Sequence, residues 1–232
     1  MDADFLSLKQ WLDETWDVPL EAMDAFFNRR LGDYEEHMAV WSAHYQWMAD
    51  LLPAGIETLL DIGCGTGLEL DTIFRRFPAL SVTGIDMAED MLAMLEKKHG
   101  SKALTLIRDD YFRCPLEAER YDCAVSFETL HHYTAAQKQG LFAKIRHSLK
   151  PGGIYLECDY IASSQEIEDL VFGECARRRQ RDAIPPDDFV HFDTPLTLEH
   201  EMEAMQQAGF SSVELVGFLE GDNHTAMILC RK

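Results

Sequence analysis

The chain contains an apolar segment that runs directly into three alternating glycines. Residues 59–62 are mostly apolar, and Gly63, Gly65 and Gly67 follow at once. About twenty residues later, a second apolar segment ends in Asp86. Glycines let a backbone turn tightly and approach a ligand because they carry no Cβ, and a helix N-terminus favours a negatively charged group. This order of strand, glycine loop, helix and acid-terminated strand predicts an open α/β sheet that binds a nucleoside-containing cofactor.

The spacing of the glycines favours one class of cofactor over another. A dinucleotide site uses the pattern G-x-G-x-x-G, whereas this chain reads G-x-G-x-G with leucine at position 68. Leu68 disfavours NAD, because the third glycine of the dinucleotide pattern lets the helix pack closely on the strand. Asp86, at the tip of the second strand, is placed to accept hydrogen bonds from both hydroxyls of a ribose.

Residues 61–67, which read D-I-G-C-G-T-G, closely resemble motif I of the class I S-adenosylmethionine (SAM) dependent methyltransferases. The similarity extends to an acid-bearing segment (108–116), a strand-like segment (121–127) and the turn L-K-P-G-G (149–153). It covers the chain from about residue 57 to about residue 160, and the tail more loosely. The resemblance implies an α/β fold with a Rossmann-like, doubly wound, mostly parallel seven-stranded sheet. It further implies an antiparallel edge strand and an N-terminal helical lid.

The hydrophobic pattern alternates between strand and helix periods from residue 57 onward, which predicts βαβ units. The predicted strands cover residues 57–62, 80–85, 103–108, 121–127, 153–159, 212–219 and 224–231. The predicted helices cover residues 3–15, 20–31, 34–52, 66–77, 88–99, 135–149, 163–182 and 197–208, with a proline-bearing loop at 184–196. We therefore expect an N-terminal helical cap at residues 1–52 and a methyltransferase domain at residues 53–232. Within that domain, the inserted helix and loop at residues 160–195 are expected to act as a substrate lid.

The resemblance also implies which residues hold SAM, whose product after transfer is S-adenosylhomocysteine (SAH). Tyr34 would lie near the methionine end, Asp110 would accept from the adenine amino group, and Met87 would lie against the adenine or simply pack. Asp61 would face the methionine ammonium or cap the local backbone, and both roles stay open. The predicted cofactor-binding residues are Tyr34, Asp61, Gly63, Gly65, Thr66, Gly67, Asp86, Met87, Asp110, Tyr111 and Phe127.

The predicted acceptor side consists of residues just after the fourth strand of the core. Alignment and exclusion of water supply much of the catalysis of methyl transfer, and a weakly acidic acceptor also needs a base. Imidazole titrates near neutrality, so His132 or His131 is the predicted base, with Glu128 as a further candidate and a structural role for either histidine as the alternative. Glu157 and Asp159 end the next strand, where they would receive a cationic amine or simply be solvated.

Composition disfavours several classes of binding partner. The net charge of −20 disfavours nucleic acid and anionic membranes, because phosphate binding needs a clustered positive surface. The six cysteines form no C-x-x-C pair, so we expect no metal site, no disulfide framework and a reducing compartment. No apolar signal segment opens the chain, and it contains no run of about 18 apolar residues. We expect a cytoplasmic monomer or homodimer whose partner is a small-molecule substrate.

Together these patterns predict a SAM-dependent methyltransferase that transfers a methyl group to a small-molecule acceptor by in-line displacement. Two alternatives remain open. One is a SAM-binding enzyme that modifies the cofactor itself, and the other is a non-catalytic module that senses SAM or partners another subunit. A cofactor derivative that co-purifies with the protein would favour the first, and a lack of turnover with any acceptor would favour the second.

Overall fold

A computed structural model describes residues 3–185 and 188–232. Its strands are β1 (Glu21–Ala22), β2 (Thr58–Ile62), β3 (Ser81–Asp86), β4 (Leu104–Arg108), β5 (Tyr121–Phe127), β6 (Leu149–Tyr160), β7 (Val190–His191), β8 (Ser212–Gly217) and β9 (Thr225–Arg231). Its α-helices are α1 (Ala3–Glu14), α2 (Met23–Met38), α3 (Ser42–Leu51), α4 (Leu68–Arg76), α5 (Glu89–His99), α6 (Ala135–Ser148), α7 (Gln165–Arg181) and α8 (Leu198–Gln207). Among these residues, no helix combines the length and the apolar character needed to cross a membrane.

Seven strands form one sheet in the order β4-β3-β2-β5-β6-β9-β8. The five strands from β4 to β6 in this order run parallel to one another, whereas β9 runs antiparallel to both β6 and β8. The prediction of a mostly parallel seven-stranded sheet with an antiparallel edge strand is therefore confirmed. The strand order reverses between β2 and β5, and sheets of this kind open a ligand crevice at such a point, beyond the carboxyl ends of the strands.

Both faces of the sheet are covered by helices, because the central strands carry apolar side chains on each face. One buried cluster packs α6 and α8 against the sheet and includes Phe142 and Tyr155. The other packs α3, α4 and α5 against the opposite face and includes Tyr45 and Leu70. All six cysteines are free, and Cys64, Cys123, Cys158 and Cys230 are buried in the core.

The N-terminal helices break at a different place from the predicted one. Because α2 runs on to Met38, the predicted boundary between helices at 20–31 and 34–52 is wrong. A glycine inside a helix costs only about 1 kcal/mol, and a Cβ at Gly32 would have no neighbour within 4 Å. The helix therefore continues through Gly32, and the break falls at a 3-10 turn, Ala39–Trp41, that leads into α3.

A two-stranded ribbon ties the N-terminal segment to the predicted loop at residues 184–196. In this ribbon β1 pairs antiparallel with β7, with Glu21 opposite His191. Arg178 on α7 makes a second connection, because its guanidinium donates to the carbonyl oxygen of Leu12 at 2.7 Å. The N-terminal helices and the inserted segment are therefore joined to each other beside the crevice.

Candidate cofactor and acceptor site

The glycine loop joins β2 to α4 and requires glycine for two separate reasons. All three glycines have positive φ, at 69° for Gly63, 46° for Gly65 and 70° for Gly67, where L side chains are strained. A Cβ at Gly63 would lie 2.2 Å from Cγ2 of Thr129, and one at Gly67 would lie 2.4 Å from Cδ1 of Leu95. Two of the glycines therefore allow close packing of the loop on its neighbours.

Gly65 and Asp86 face the crevice together. A Cβ at Gly65 would find nothing closer than the hydroxyl oxygen of Tyr34, at 3.7 Å, so this glycine borders open space. Asp86 accepts hydrogen bonds from the backbone N–H of Gly65 at 2.9 Å and of Ala88 at 2.8 Å. Burial raises the pKa of Asp86. Since a carboxylate offers about four acceptor positions, Asp86 keeps capacity for a ligand.

A narrow cleft of about 530 Å³, termed the first cleft, opens in front of this pair. Predicted residues that line it are Tyr34, Gly63, Gly65, Asp86, Met87, Tyr111 and His132. Apolar side chains that no sequence motif marked complete the walls, among them Met23, Phe27 and Met91.

A smaller cleft of about 230 Å³, termed the loop cleft, adjoins the glycine loop at the start of α4. Predicted residues Thr66, Gly67 and Phe127 line it. Glu69 lines it as well and was not predicted, because nothing in the local pattern distinguishes it from a solvated acid in the first turn of a helix. The loop cleft shares Tyr34 with the first cleft.

Two buried acids, Asp61 and Glu69, neighbour each other, and Glu69 lines the loop cleft. Asp61 is 1% exposed and Glu69 is 6% exposed. Burial, together with the neighbouring Glu69 carboxyl, raises the pKa of Asp61 well above its ordinary value. Burial raises the pKa of Glu69 to about 7. One carboxyl oxygen of each acid is buried without a hydrogen-bond partner among the described residues, so the pair is suited to receive a hydrogen-bond donor or a cation.

The structure brings Tyr111, a predicted cofactor-binding residue, to the first cleft, but not Asp110, the predicted partner of the adenine amino group. Asp110 accepts from the backbone N–H of Phe112 at 2.8 Å, and its second carboxyl oxygen lies 3.4 Å from Nε of Arg113. Tyr111 is buried, and its hydroxyl donates to the hydroxyl of Tyr133 at 2.9 Å. Tyr111 therefore forms a fixed wall, whereas Asp110 orders the turn after β4.

A wider cleft of about 1120 Å³, termed the second cleft, adjoins the first. Four side chains line both clefts: Phe27, Tyr34, Glu128 and His132. The second cleft also brings together His131, which was predicted, and His191 and Asp193, which were not. Those last two lie about sixty residues beyond the histidine pair in the chain, so no local motif could have connected them to it.

Glu128 lies at the junction of the two clefts on a strained backbone. Its φ is 46°, which is uncommon for a residue with a side chain. One of its carboxyl oxygens is buried without a hydrogen-bond partner among the described residues, and burial raises the pKa of Glu128 to about 8. Strained residues concentrate at functional sites, and this one presents a largely protonated carboxyl group to both clefts at neutral pH.

His131 is the charged partner of a buried acid. Its Nδ1 donates to Oδ1 of Asp159 at 2.5 Å, and Oδ2 of Asp159 accepts from the backbone N–H of Leu130 at 2.7 Å. Burial alone would lower the pKa of His131, but the Asp159 carboxylate raises it to about 9. His131 therefore carries its second proton at neutral pH. Asp159 and Glu157 are buried rather than solvated at the end of β6.

His132 is neutral and has one ring nitrogen available as an acceptor. Its Nδ1 lies 3.3 Å from the carbonyl oxygen of Phe192 and 3.3 Å from a carboxyl oxygen of Asp193. Because both neighbours are acceptors, the proton lies on Nδ1 and Nε2 is free. Burial, followed by the charge on His131, lowers the pKa of His132 well below its ordinary value. His131, His132 and Asp193 offer potential metal-ligand atoms within 4.8 Å of one another.

Comparison with known proteins identifies the domain. Residues 59–153 match the family model described as a methyltransferase domain. A malonyl-[acyl-carrier protein] O-methyltransferase of Ilyobacter polytropus is 31% identical over 137 residues, which cover 56% of this chain and 50% of the relative. A sterol 24-C-methyltransferase of Gibberella zeae is 26% identical over 172 residues, which cover 72% of this chain and 43% of the relative. The chain thus spans about half the length of these curated relatives, or somewhat less.

Solved structures share the fold. Human N-acetylserotonin methyltransferase, in complex with SAM, matches with a TM-score of 0.66 at 19% identity, covering 95% of this chain and 62% of that chain. A SAM-dependent methyltransferase of Mesorhizobium loti matches with a TM-score of 0.58 at 19% identity, covering 81% of this chain and 98% of that chain. The sheet order and the glycine loop thus define a Rossmann-like fold, which these solved structures share. The match to a methyltransferase domain covers residues 59–153, which include the glycine loop and Asp86.

Proposed function

We propose that this chain transfers the methyl group of SAM to a small-molecule acceptor by in-line displacement. The observation that carries the proposal is the junction of the two clefts at Phe27, Tyr34, Glu128 and His132. A cofactor in the first cleft and an acceptor in the second would meet there. Displacement is favoured in such a site because the reactants are held close and water is excluded.

The first cleft fits the adenosine part of SAM. Asp86 keeps acceptor positions for the two ribose hydroxyls, and the open space at Gly65 allows a ligand to approach the backbone. We assign Met87 and Tyr111 to the adenine, because both line the same cleft as Asp86. Asp110 is proposed to accept from the adenine amino group, although it does not line this cleft without ligand.

The loop cleft fits the amino-acid part of SAM. Glu69 lines this cleft and Asp61 neighbours Glu69, and each has a buried carboxyl oxygen without a hydrogen-bond partner among the described residues, which an ammonium group could satisfy. The N-terminus of α4, with Thr66 and Gly67 before it, suits the carboxylate at the same end of the cofactor. Tyr34 and Phe127 close this cleft. When bound, SAM supplies an electrophilic methyl group on a sulfonium ion.

Three side chains are assigned to the acceptor. His132 is the proposed base, because it is neutral, lines both clefts and has Nε2 free. His131 would act as a base only after it loses the proton that Asp159 stabilises, so at neutral pH it contributes a positive charge and a hydrogen-bond donor. Glu128 is proposed to donate a hydrogen bond from its protonated carboxyl to the acceptor.

Two segments are proposed as lids over this site. Residues 1–52 contribute Phe27 and Tyr34, and residues 160–195 contribute His191 and Asp193, to the second cleft. The β1–β7 ribbon joins the two segments, so they would move together when an acceptor enters. Two covering segments of this kind suit a small molecule better than a protein segment, which would need an open groove.

Isothermal titration calorimetry with SAM, SAH and NAD tests the cofactor first. We expect micromolar binding of the two adenosyl-sulfur compounds and none of NAD, and binding of NAD alone would overturn the proposal. Transfer is then tested with tritium-labelled SAM and a panel of phenols, amines and carboxylic acids. His132→Ala should lower turnover with little change in SAH affinity. The matched control is His147→Ala, on an exposed face of α6 outside the described clefts. SAH binding without transfer to any acceptor would favour the non-catalytic module.

A further inference from the structure

A third cleft continues the second one away from the glycine loop. It encloses about 1070 Å³ between α1, the approach to β1, α7 and the segment after β7. Phe26, Arg30, His191 and Asp193 line both the second and the third cleft. The second cleft, which His132 lines, is therefore continuous with the third cleft. Because His132 does not line the third cleft, that cleft is available for a part of the acceptor other than its reacting group.

The walls of the third cleft are mainly apolar. Representative lining side chains are Leu8, Trp11, Leu12, Leu20, Val171 and Phe192. Trp11 remains 53% exposed and Val18, which also lines the cleft, remains 55% exposed. Contiguous apolar surface left open in this way marks an interaction site rather than ordinary surface.

The two arginines at this cleft are already engaged. Arg178 is 3% exposed, and its Nε donates to Glu174 at 2.8 Å. Arg30 lies 3.4 Å from a carboxyl oxygen of Glu21, and its guanidinium stacks over the ring of Phe26 at 3.7 Å. Arg178 is thus buried with protein partners, and Arg30, whose side chain is 47% exposed, already pairs with Glu21, so apolar contacts dominate the walls of the cleft.

The boundary between the second and third clefts carries a stacked aromatic pair. The ring of Phe26 stacks on that of His191, with centroids 3.3 Å apart and planes 7° apart, and both side chains line both clefts. A molecule that occupies both clefts therefore lies against this pair and against the apolar walls beyond it. An alkyl or acyl chain makes both contacts and brings no polar group that the third cleft would have to satisfy.

We infer that the third cleft binds an alkyl or acyl chain of the methyl acceptor, whose reacting group lies in the second cleft. This inference rests on the proposed function, because it assigns the second cleft to the acceptor. It names the substrate class as amphipathic: a polar reacting group at Glu128 and His132, joined to a hydrocarbon chain that passes Phe26. The chain would then bury the exposed indole of Trp11.

Calorimetry with a homologous series of probes tests the inference. The protein is saturated with SAH and titrated with 4-alkylphenols whose chains run from methyl to octyl, and the series is repeated with alkylamines and fatty acids. Burial of one methylene is worth about 0.8 kcal/mol, so full burial corresponds to about fourfold. We expect affinity to rise about threefold per methylene once the chain passes the boundary, in at least one head-group series.

A matched pair of variants on α1 localises the effect. Trp11→Ala should weaken binding of the longest chain about tenfold and leave the methyl probe unchanged. Leu6→Ala is the control, because Leu6 is 50% exposed on the same helix and is not among the residues that line the cleft. Val18→Trp, which narrows the cleft from an exposed position, should likewise penalise long chains only.

The outcomes separate this inference from the proposed function. If SAH fails to bind, the proposed function fails and the inference falls with it. If SAH binds but affinity does not depend on chain length in any series, or Leu6→Ala weakens long chains as much as Trp11→Ala does, only the assignment of the third cleft is overturned. A circular dichroism spectrum and a melting temperature for each variant show whether α1 stays folded.

Discussion

Replacement of Glu69 by glutamine should separate recognition of the methionine end of the cofactor from recognition of its adenosine end. Glu69 lines the loop cleft, is 6% exposed, and has one carboxyl oxygen without a partner among the described residues. Glutamine keeps the shape of the side chain and removes its charge. A bound ammonium favours the ionised carboxylate, so the native site should release a proton when SAH binds, and the variant should not.

The magnitude follows from the raised pKa of Glu69, which burial sets at about 7. At about pH 6 roughly a tenth of Glu69 is ionised, and at about pH 7.5 roughly three quarters is ionised. Affinity of the native protein for SAH should therefore rise about eightfold over this interval, and that of Glu69→Gln should stay flat. At about pH 7.5, loss of one charge-assisted hydrogen bond, worth about 1.5–3 kcal/mol, should weaken SAH binding at least about tenfold.

The raised pKa of Glu69 also lowers the stability of the ligand-free protein as the pH rises. The folded-state pKa of Glu69, about 7, lies above its ordinary value of 4.5, so the folded state binds this proton more tightly than the unfolded state does. Stability is then greatest below about pH 4.5 and falls as the pH rises toward about 7. Glu69→Gln should remove this loss, which is at most about 3 kcal/mol. The variant should therefore melt at a higher temperature than the native protein near pH 8, with little difference near pH 5.

Calorimetry with two ligands provides the assay. SAH carries the amino-acid end, and 5′-methylthioadenosine lacks it, so the second ligand is an internal control. Titrations in buffers of different ionisation enthalpy count the protons released. An equal loss of affinity for both ligands would show that Glu69→Gln disturbs the loop as a whole. Unchanged SAH affinity and unchanged proton release would refute the assignment of Glu69 to the ammonium.

Three further substitutions test separate parts of the molecule. Asp86→Asn should weaken SAH binding about tenfold, because a charge-assisted hydrogen bond to the ribose is lost, and equal affinity in calorimetry would refute the ribose site. Glu128→Gly should relieve the positive φ and raise the free energy of unfolding by about 1 kcal/mol while turnover falls; denaturant melts and initial rates check the two effects. Although burial opposes it, Lys150 and nearby backbone N–H groups hold the pKa of Asp122 at about 2. The stability that this carboxylate contributes is present above about pH 4 and lost as the pH falls toward about 2. Urea melts should therefore show that Asp122→Asn lowers the free energy of unfolding by about 1–2 kcal/mol at neutral pH and hardly changes it near pH 2.

The core of the fold and the cofactor crevice could be predicted because their determinants are contiguous in the chain. The glycine loop, its preceding strand and its following helix lie within residues 57–77, and Asp86 ends the next strand. Each of these features is set by local backbone requirements, such as positive φ at Gly63 and Gly67. Local requirements are what a sequence pattern records, and so most predicted strands and helices of the sheet lie close to the observed ones.

The N-terminal region could not be predicted in the same way, because its structure depends on distant partners. α2 continues through Gly32 because nothing opposes it there, although glycine commonly ends helices. The β1–β7 ribbon has only two residues per strand, and it forms because Glu21 meets His191 across 170 positions of chain. Such short strands have too few residues to show an alternating pattern.

The protonation of the acceptor-site histidines depends on residues that are distant in the chain and close in space, which a local motif does not record. The L-H-H segment suggested two equivalent bases, yet Asp159 holds a proton on His131 while burial and that charge keep His132 neutral. A base with a lowered pKa removes protons effectively only from groups of comparable acidity. If His132 serves as the base, the acceptor must therefore present an acidic hydroxyl or carboxyl group. The two histidines thus divide their roles through Asp159, a residue that lies 27 positions beyond His132 in the chain and only 2.5 Å from His131 in space.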